Sequence, residues 1–318
     1  MKEAKVHRIE WVDVAKAVGI LLVVYGHVLL GAHDAGLWSD TLNYRIQHSV
    51  IYTTHMPLFF FLSGIFAIKW VQRTPKIALT QKLRSLIIPY FVWGFIQAIV
   101  MQVVSKNTNN GQGISNALQL PFIPYAQFWF LYDLFWIFLI YYLVVHVFHW
   151  SDKLVVMLAI VLFILSPYCH VWEFWRIFYH FIFFIAGTYV LKHQDLINRF
   201  KLWQTLIVAA VLNVILFVLP QQELLITICS FFVAIAGIFF LINVSKLLKT
   251  PMIEYIGRNS MAIYVMHIIF TAGTRVFLIK LGHGTLLWVL PVGVLAGMIG
   301  PLVVFEVLKR LKINQYLF

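Results

Sequence analysis

The chain has 318 residues, of which 62% are hydrophobic and 11% charged, and its mean hydropathy is +0.87. That composition lies outside the range of a water-soluble domain and makes a lipid bilayer the expected solvent. The formal charge of +12 would suit nucleic acid in a soluble protein, but here the basic residues fall in short gaps between apolar runs, where they orient helices, so no nucleic-acid partner is expected.

Cys169 and Cys229 lie within or beside apolar segments, which indicates neither a disulfide framework nor a thiolate metal site. The N-terminal apolar run follows Glu10 and Asp13 and is interrupted by Lys16, without a small-residue cleavage site, so it reads as a retained span rather than a signal peptide. No linker, low-complexity tract or repeat divides the chain, and residues 1–318 are expected to form one integral membrane domain.

Apolar runs long enough to cross a bilayer as helices fall near 12–32, 50–69, 85–104, 128–148, 153–170, 174–191, 203–219, 223–244, 259–279 and 286–307. The expected fold is therefore all-α, a polytopic helix bundle of about ten transmembrane helices. Nine is the alternative count, because Ser166-Pro167-Tyr168 and the segment Glu173 to Arg176 crowd the junction of the fifth and sixth runs. With ten, Arg45, Lys106, Arg176, Arg275 and Lys280 lie on one side and most of the remaining Lys and Arg on the other. The positive-inside rule then places both termini in the cytoplasm. The outer loops near 33–49 and 105–127, the latter with Asn107-Thr-Asn-Asn-Gly-Gln-Gly113, are expected to shape an entrance for an acceptor.

The first span carries Asp13, Lys16 and His27. A Lys or Asp near the centre of a membrane helix costs about 2.5–3.5 kcal/mol, so such residues normally face a polar interior and mark a pathway or a reaction site. Lys16 and His27 are eleven residues apart, which brings the helix back to within about 20° over a rise of roughly 16 Å. They share a face at different depths. Asp13 lies one turn below Lys16, where it can pair with the ammonium. The alternative for these two is plain packing, with Lys16 snorkelling to the surface and His27 a satisfied core histidine.

In the second run His55 is expected at a depth similar to that of His27, with Pro57 in the first turn of its helix. Ser63-Gly64 reads as a small-residue contact between helices rather than as a nucleophile. In the ninth run His267 falls near mid-depth. Glu173 and Arg176, one turn apart at the outer end of the sixth run, are placed to form a simple ion pair.

Several motifs occur in order along the chain. Trp11-Val-Asp13 precedes the Lys16-x10-His27 spacing, and His55-Met-Pro-Leu-Phe-Phe-Phe-Leu-Ser-Gly64 follows. Next come Lys82-Leu-Arg84-Ser-Leu-Ile-Ile-Pro89-Tyr90, Phe128-Trp129-Phe130-Leu131, Phe183-Phe184-Ile-Ala-Gly187 and Ile256-Gly257-Arg258-Asn259-Ser260-Met-Ala-Ile-Tyr264-Val-Met-His267. Together they resemble the integral-membrane acyltransferase family 3, in particular its fucose 4-O-acetylase-like branch, over essentially the whole chain. Two departures stand out. Lys16 occupies a position that is often Arg in the family, and Lys82 and Arg84 represent its paired arginines at a different spacing.

The resemblance implies transfer of an acyl group, usually acetyl, from cytoplasmic acyl-CoA to a hydroxyl of a cell-envelope carbohydrate or lipid-linked sugar, by a multi-pass protein of a bacterial cell membrane. It implies His27 as general base or as the group that accepts the acyl chain, with Asp13, His55 and His267 completing the catalytic set. Lys16, Lys82, Arg84 and Arg258 are the expected contacts to the CoA phosphates, although for Arg258 orientation of the helix is an equal explanation. Trp129 is either a wall of the donor channel or an interfacial anchor, and Glu173 and Arg176 are the expected acceptor contacts. Acetyl-CoA is expected as co-substrate, with no metal, although a zinc site built from His27, His55 and His267 is a further alternative. The rival function is a transporter or flippase that uses the buried Lys, Asp and His as a proton relay.

Overall fold

A computed structural model describes residues 9–38, 40–104, 117–190 and 192–318. Lys106 and the Asn107–Gly113 stretch lie outside these residues. Among the described residues all regular structure is helical. In chain order the elements are α1 (Glu10–Asp34), α2 (Thr41–Trp70), α3 (Pro75–Lys82) and, through a π-helical turn at Leu83–Ile87, α4 (Ile88–Val104). There follow α5 (Trp129–Tyr142), α6 (Asp152–Leu165), α7 (Phe174–Val190), α8 (Gln194–Arg199), α9 (Leu202–Val218) and α10 (Glu223–Leu247). The last are α11 (Pro251–Arg258), α12 (Ser260–Lys280), α13 (Leu286–Arg310) and α14 (Asn314–Leu317).

Each of the ten expected runs coincides with one of these helices. By length and composition, seven stretches among the described residues can cross a membrane: 10–34, 41–70, 75–103, 126–147, 223–247, 260–280 and 286–310. The apolar helices α7 and α9 have 17 residues each and α6 has 14, short of a full crossing by the same measure. The chain is a multi-pass membrane protein.

The second helix corrects the sequence reading in two ways. It starts at Thr41, well before its apolar run, because the Asp40 side chain caps it by accepting from the Asn43 N–H at 3.0 Å. Much of the expected 33–49 loop is therefore helix. Pro57 consequently lies inside α2, not in its first turn, and leaves the Thr53 carbonyl without its usual backbone donor.

The first helix is the hub of the bundle and packs against α2, α10, α11, α12 and α13. Elsewhere α2 runs against α7, and α12 against α13. The α2–α7 contact is made by two glycines. A Cβ at Gly64 would fall on the carbonyl of Phe184, and a Cβ at Gly187 on that of Phe61. Ser63 Oγ meanwhile donates to the Phe59 carbonyl at 2.8 Å, which agrees with the small-residue reading of this pair.

Candidate active site

His27 sits nearly five turns into α1, half-buried, on a helix whose other faces are packed by Val23, Val24, Val28 and Leu29. Its ring borders a cavity of about 310 Å³ at the C-terminal end of α1. Gly31 and Asp34 extend the same wall, Gln97 and Met101 of α4 and Tyr125–Gln127 supply the next, and Thr271 and Arg275 of α12 close the third. Three separate helices and one turn thus converge on a single imidazole.

His55, expected at the depth of His27, is not the imidazole recorded against it; His267 is. His267 of α12 is fully buried, with its ring centre 5.0 Å from that of His27. His55 is 2% exposed and stands one ring further away, behind Tyr52, whose ring centre is 4.9 Å from His55 and 6.3 Å from His27. His267 Nδ1 lies 2.7 Å from the Tyr264 carbonyl and 3.2 Å from that of Ile263. A carbonyl only accepts, so Nδ1 carries the proton and Nε2 of the neutral ring carries the lone pair. That Nε2 is buried and has no hydrogen-bond partner. His55 is fixed in the same way by Nδ1, 2.6 Å from the Ile51 carbonyl.

At the opposite end of α1, Asp13 is 8% exposed and Lys16 is half-buried, with its ammonium 5.5 Å from the centre of the Phe66 ring. The other expected donor contacts do not form one cluster. Lys82 points into an apolar pocket, its Nζ 3.3 Å from the centre of the Phe138 ring and 5.3 Å from that of Trp70. Arg84, two residues on, faces the other way into an open basic cleft shared with Arg73, Lys76, Gln81 and Ser85, where Arg73 donates to Gln81. The opposite orientation follows from helix geometry, because residues two apart do not share a face. Arg258 ends α11 and faces Glu254 at 4.0 Å.

Trp129 belongs to a second polar group rather than to the basic cleft. Arg176 Cζ lies 5.0 Å from its ring and 4.8 Å from that of Trp175, while Nη1 donates to Glu173 at 2.5 Å. His180 stacks on Phe60 at 4.3 Å and stands 5.5 Å from Trp129. Nearby Asp133 is fully buried, and neither carboxyl oxygen has a partner. Glu173 and Arg176 therefore do form the ion pair that the sequence allowed. Among the described residues no three His, Cys, Asp or Glu side chains converge so as to hold a metal, and His27, His55 and His267 do not form such a group.

A family model described as an acyltransferase domain matches residues 9–306, nearly the whole chain and every motif quoted above. The chain belongs to acyltransferase family 3. No curated protein and no solved structure matches it. This membrane acyltransferase carries, in the cavity, the basic cleft and the Trp129 group, several residues that the sequence does not single out. Arg275 had been seen only as one of a few basic residues on one side, and Asp34 only as part of a loop. Arg73 and Lys76 had likewise been counted only toward orientation. His180 and Asp133 could have been found as ionisable residues within apolar runs, the same signal that exposed His27.

Proposed function

We propose that this acyltransferase moves an acyl group, acetyl in the simplest case, from acyl-CoA to a hydroxyl of a cell-envelope carbohydrate, with His27 at the reacting centre. The observation that carries the proposal is the His27 imidazole on the wall of a cavity, backed by a second imidazole whose free nitrogen is available. In this reading all ten apolar helices cross the cell membrane, both termini are cytoplasmic, and the cavity faces outward, as the distribution of Lys and Arg suggests. The cleft of Arg73, Lys76 and Arg84 then lies on the cytoplasmic side, where its cations suit the phosphates of CoA.

The step balances without any further reactant. The acceptor hydroxyl gives its proton to His27 as its oxygen attacks the thioester carbonyl. The carbon–sulfur bond then breaks, and the proton passes to the departing thiolate. Alternatively His27 takes the acyl group first and yields it to the same hydroxyl. In either route the lone pair of His267 Nε2 can accept an N–H from the His27 ring, which orients it and stabilises its cationic form. Asp13 and Lys16 occupy the donor end of the same helix face, where Lys16 offers a further cation along the path of the pantetheine arm.

The test is transfer of labelled acetyl from acetyl-CoA to envelope glycan by purified protein in vesicles. His27→Ala should fold and lose this transfer. A folded variant that transfers at the wild-type rate would remove the proposed role. Flux of a substrate across the vesicle without consumption of acyl-CoA would point instead to a transporter.

A further inference from the structure

Arg176 and Arg275 differ in how far their charge is already used. Arg176 is engaged by Glu173 and lies against two tryptophan rings. Arg275 lines the cavity at His27, half-buried, and among the described residues no hydrogen bond or ion pair within 4 Å engages it. Its electrostatic partner is Asp34 on the same rim, whose carboxylate lies 3.5 Å from His33 Nδ1. The guanidinium rests against α1 at Gly31, where any side chain would overlap Nη1.

The other polar groups of the cavity are largely spent. Gln97 and Gln127 hydrogen-bond each other twice, at 3.1 and 2.7 Å. Arg275 is therefore the strongest open donor in the cavity, with up to five N–H groups in a planar fork. A half-buried guanidinium without an acceptor is costly, and a bidentate anion relieves that cost. Gly31 lies one turn beyond His27, about 6 Å along the axis. That offset is comparable to the width of one sugar ring. The volume of about 310 Å³ falls at the small end of ligand pockets, which suits a monosaccharide unit.

We propose that Arg275 is the specificity-determining residue of the acceptor site and holds a carboxylate or phosphate carried by the sugar whose hydroxyl meets His27. The acceptor is thus an acidic saccharide, an assignment that rests on the acyl-transfer reading and names its substrate class. Asp34 repels a second anion from the rim and accepts from a sugar hydroxyl, which fixes the direction of the ring.

The test uses the full chain in nanodiscs, without acyl donor, and measures binding of glucuronic acid, glucose 1-phosphate and glucose by calorimetry. At least one of the two acids is expected to bind tenfold or more tightly than glucose, and which one binds separates carboxylate from phosphate. Arg275→Gln should bring acid and neutral sugar to the same affinity, while Arg275→Lys, which keeps the charge without the fork, should fall between. Gly31→Ala, which displaces the guanidinium but leaves its charge, should also weaken the acid. Equal binding of acids and glucose by the wild type overturns the proposal, as does undiminished acid binding by Arg275→Gln. Should Arg275→Gln fail to fold, wild-type affinity for the acids in both Arg275→Lys and Gly31→Ala overturns it. Acetyl-CoA turnover by the wild type is followed separately. Its absence alongside selective acid binding would defeat the transfer reading and leave the anion site standing.

Discussion

His267 holds its ring centre 5.0 Å from that of His27, with Nδ1 committed to backbone carbonyls and Nε2 buried without a partner. The two residues come from α1 and α12, 240 positions apart in the chain, and their proximity makes His267 the natural partner of His27 in the proposed reaction.

Replacing His267 by Phe fills the space but removes the acceptor for a His27 N–H. We expect kcat to fall by about 10²–10⁴-fold, the usual range for a group that assists proton transfer. His267→Gln, which retains an oxygen acceptor, should recover part of the loss. A kcat for His267→Phe within a few-fold of wild type, in steady-state assays of acetyl transfer, would show that the pair is only packing.

The basic cleft predicts a different kinetic signature. Arg73→Gln and Arg84→Gln should each raise KM for acyl-CoA by about tenfold, near 1.4 kcal/mol, with a smaller effect on kcat. Because these cations are exposed, the wild-type KM should itself rise with ionic strength. Titrating acetyl-CoA at two salt concentrations checks both statements.

Lys82 should behave otherwise, although the motif places it beside Arg84. Its ammonium is held over Phe138 and Trp70, so Lys82→Met keeps the packing and should leave KM for acyl-CoA within about threefold. Lys82→Glu, facing the same rings, should destabilise the fold by about 1–3 kcal/mol. A large KM effect in the Met variant would move Lys82 into the donor site.

Gly64 and Gly187 let α2 and α7 approach until each α-carbon faces a carbonyl of the other helix. Gly64→Val or Gly187→Val should lower stability by at least about 1–3 kcal/mol through overpacking. The double variant should cost less than the sum, since the first substitution already separates the helices. Thermal unfolding in detergent reads both effects.

Hydropathy located the seven helices long enough to cross a bilayer, and three shorter apolar ones, because burial in lipid demands long apolar runs. It misplaced the start of α2 because the first turns carry Asn43, Arg45, Gln47 and His48, which water-facing helix tolerates and a membrane window rejects. The cap at Asp40 and the bonds of Gln47 with Tyr25 and Asn43 hold those turns helical. His27 was legible as a costly ionisable group in an apolar run. The family resemblance already put His267 and His55 in one set with it, but which of the two stands beside it was not legible, since the crossing of α1 with α12 belongs to tertiary packing. Likewise the resemblance gave Lys82 and Arg84 a common ligand, whereas their two-residue spacing on a helix turns them to opposite pockets.

The 30 residues of α2 span about 45 Å, against a hydrocarbon layer of about 30 Å. Its N-terminal turns carry Tyr44, stacked on His33 at 3.8 Å, and His48, stacked on Tyr52 at 4.1 Å, beside the cavity mouth. Membrane thickness therefore sets whether that aromatic parapet stands among headgroups or in open water. Lipids with longer tails would draw it inward and, under the proposed transfer, place a denser layer between the acceptor and His27, so turnover in vesicles should decline as acyl chains lengthen.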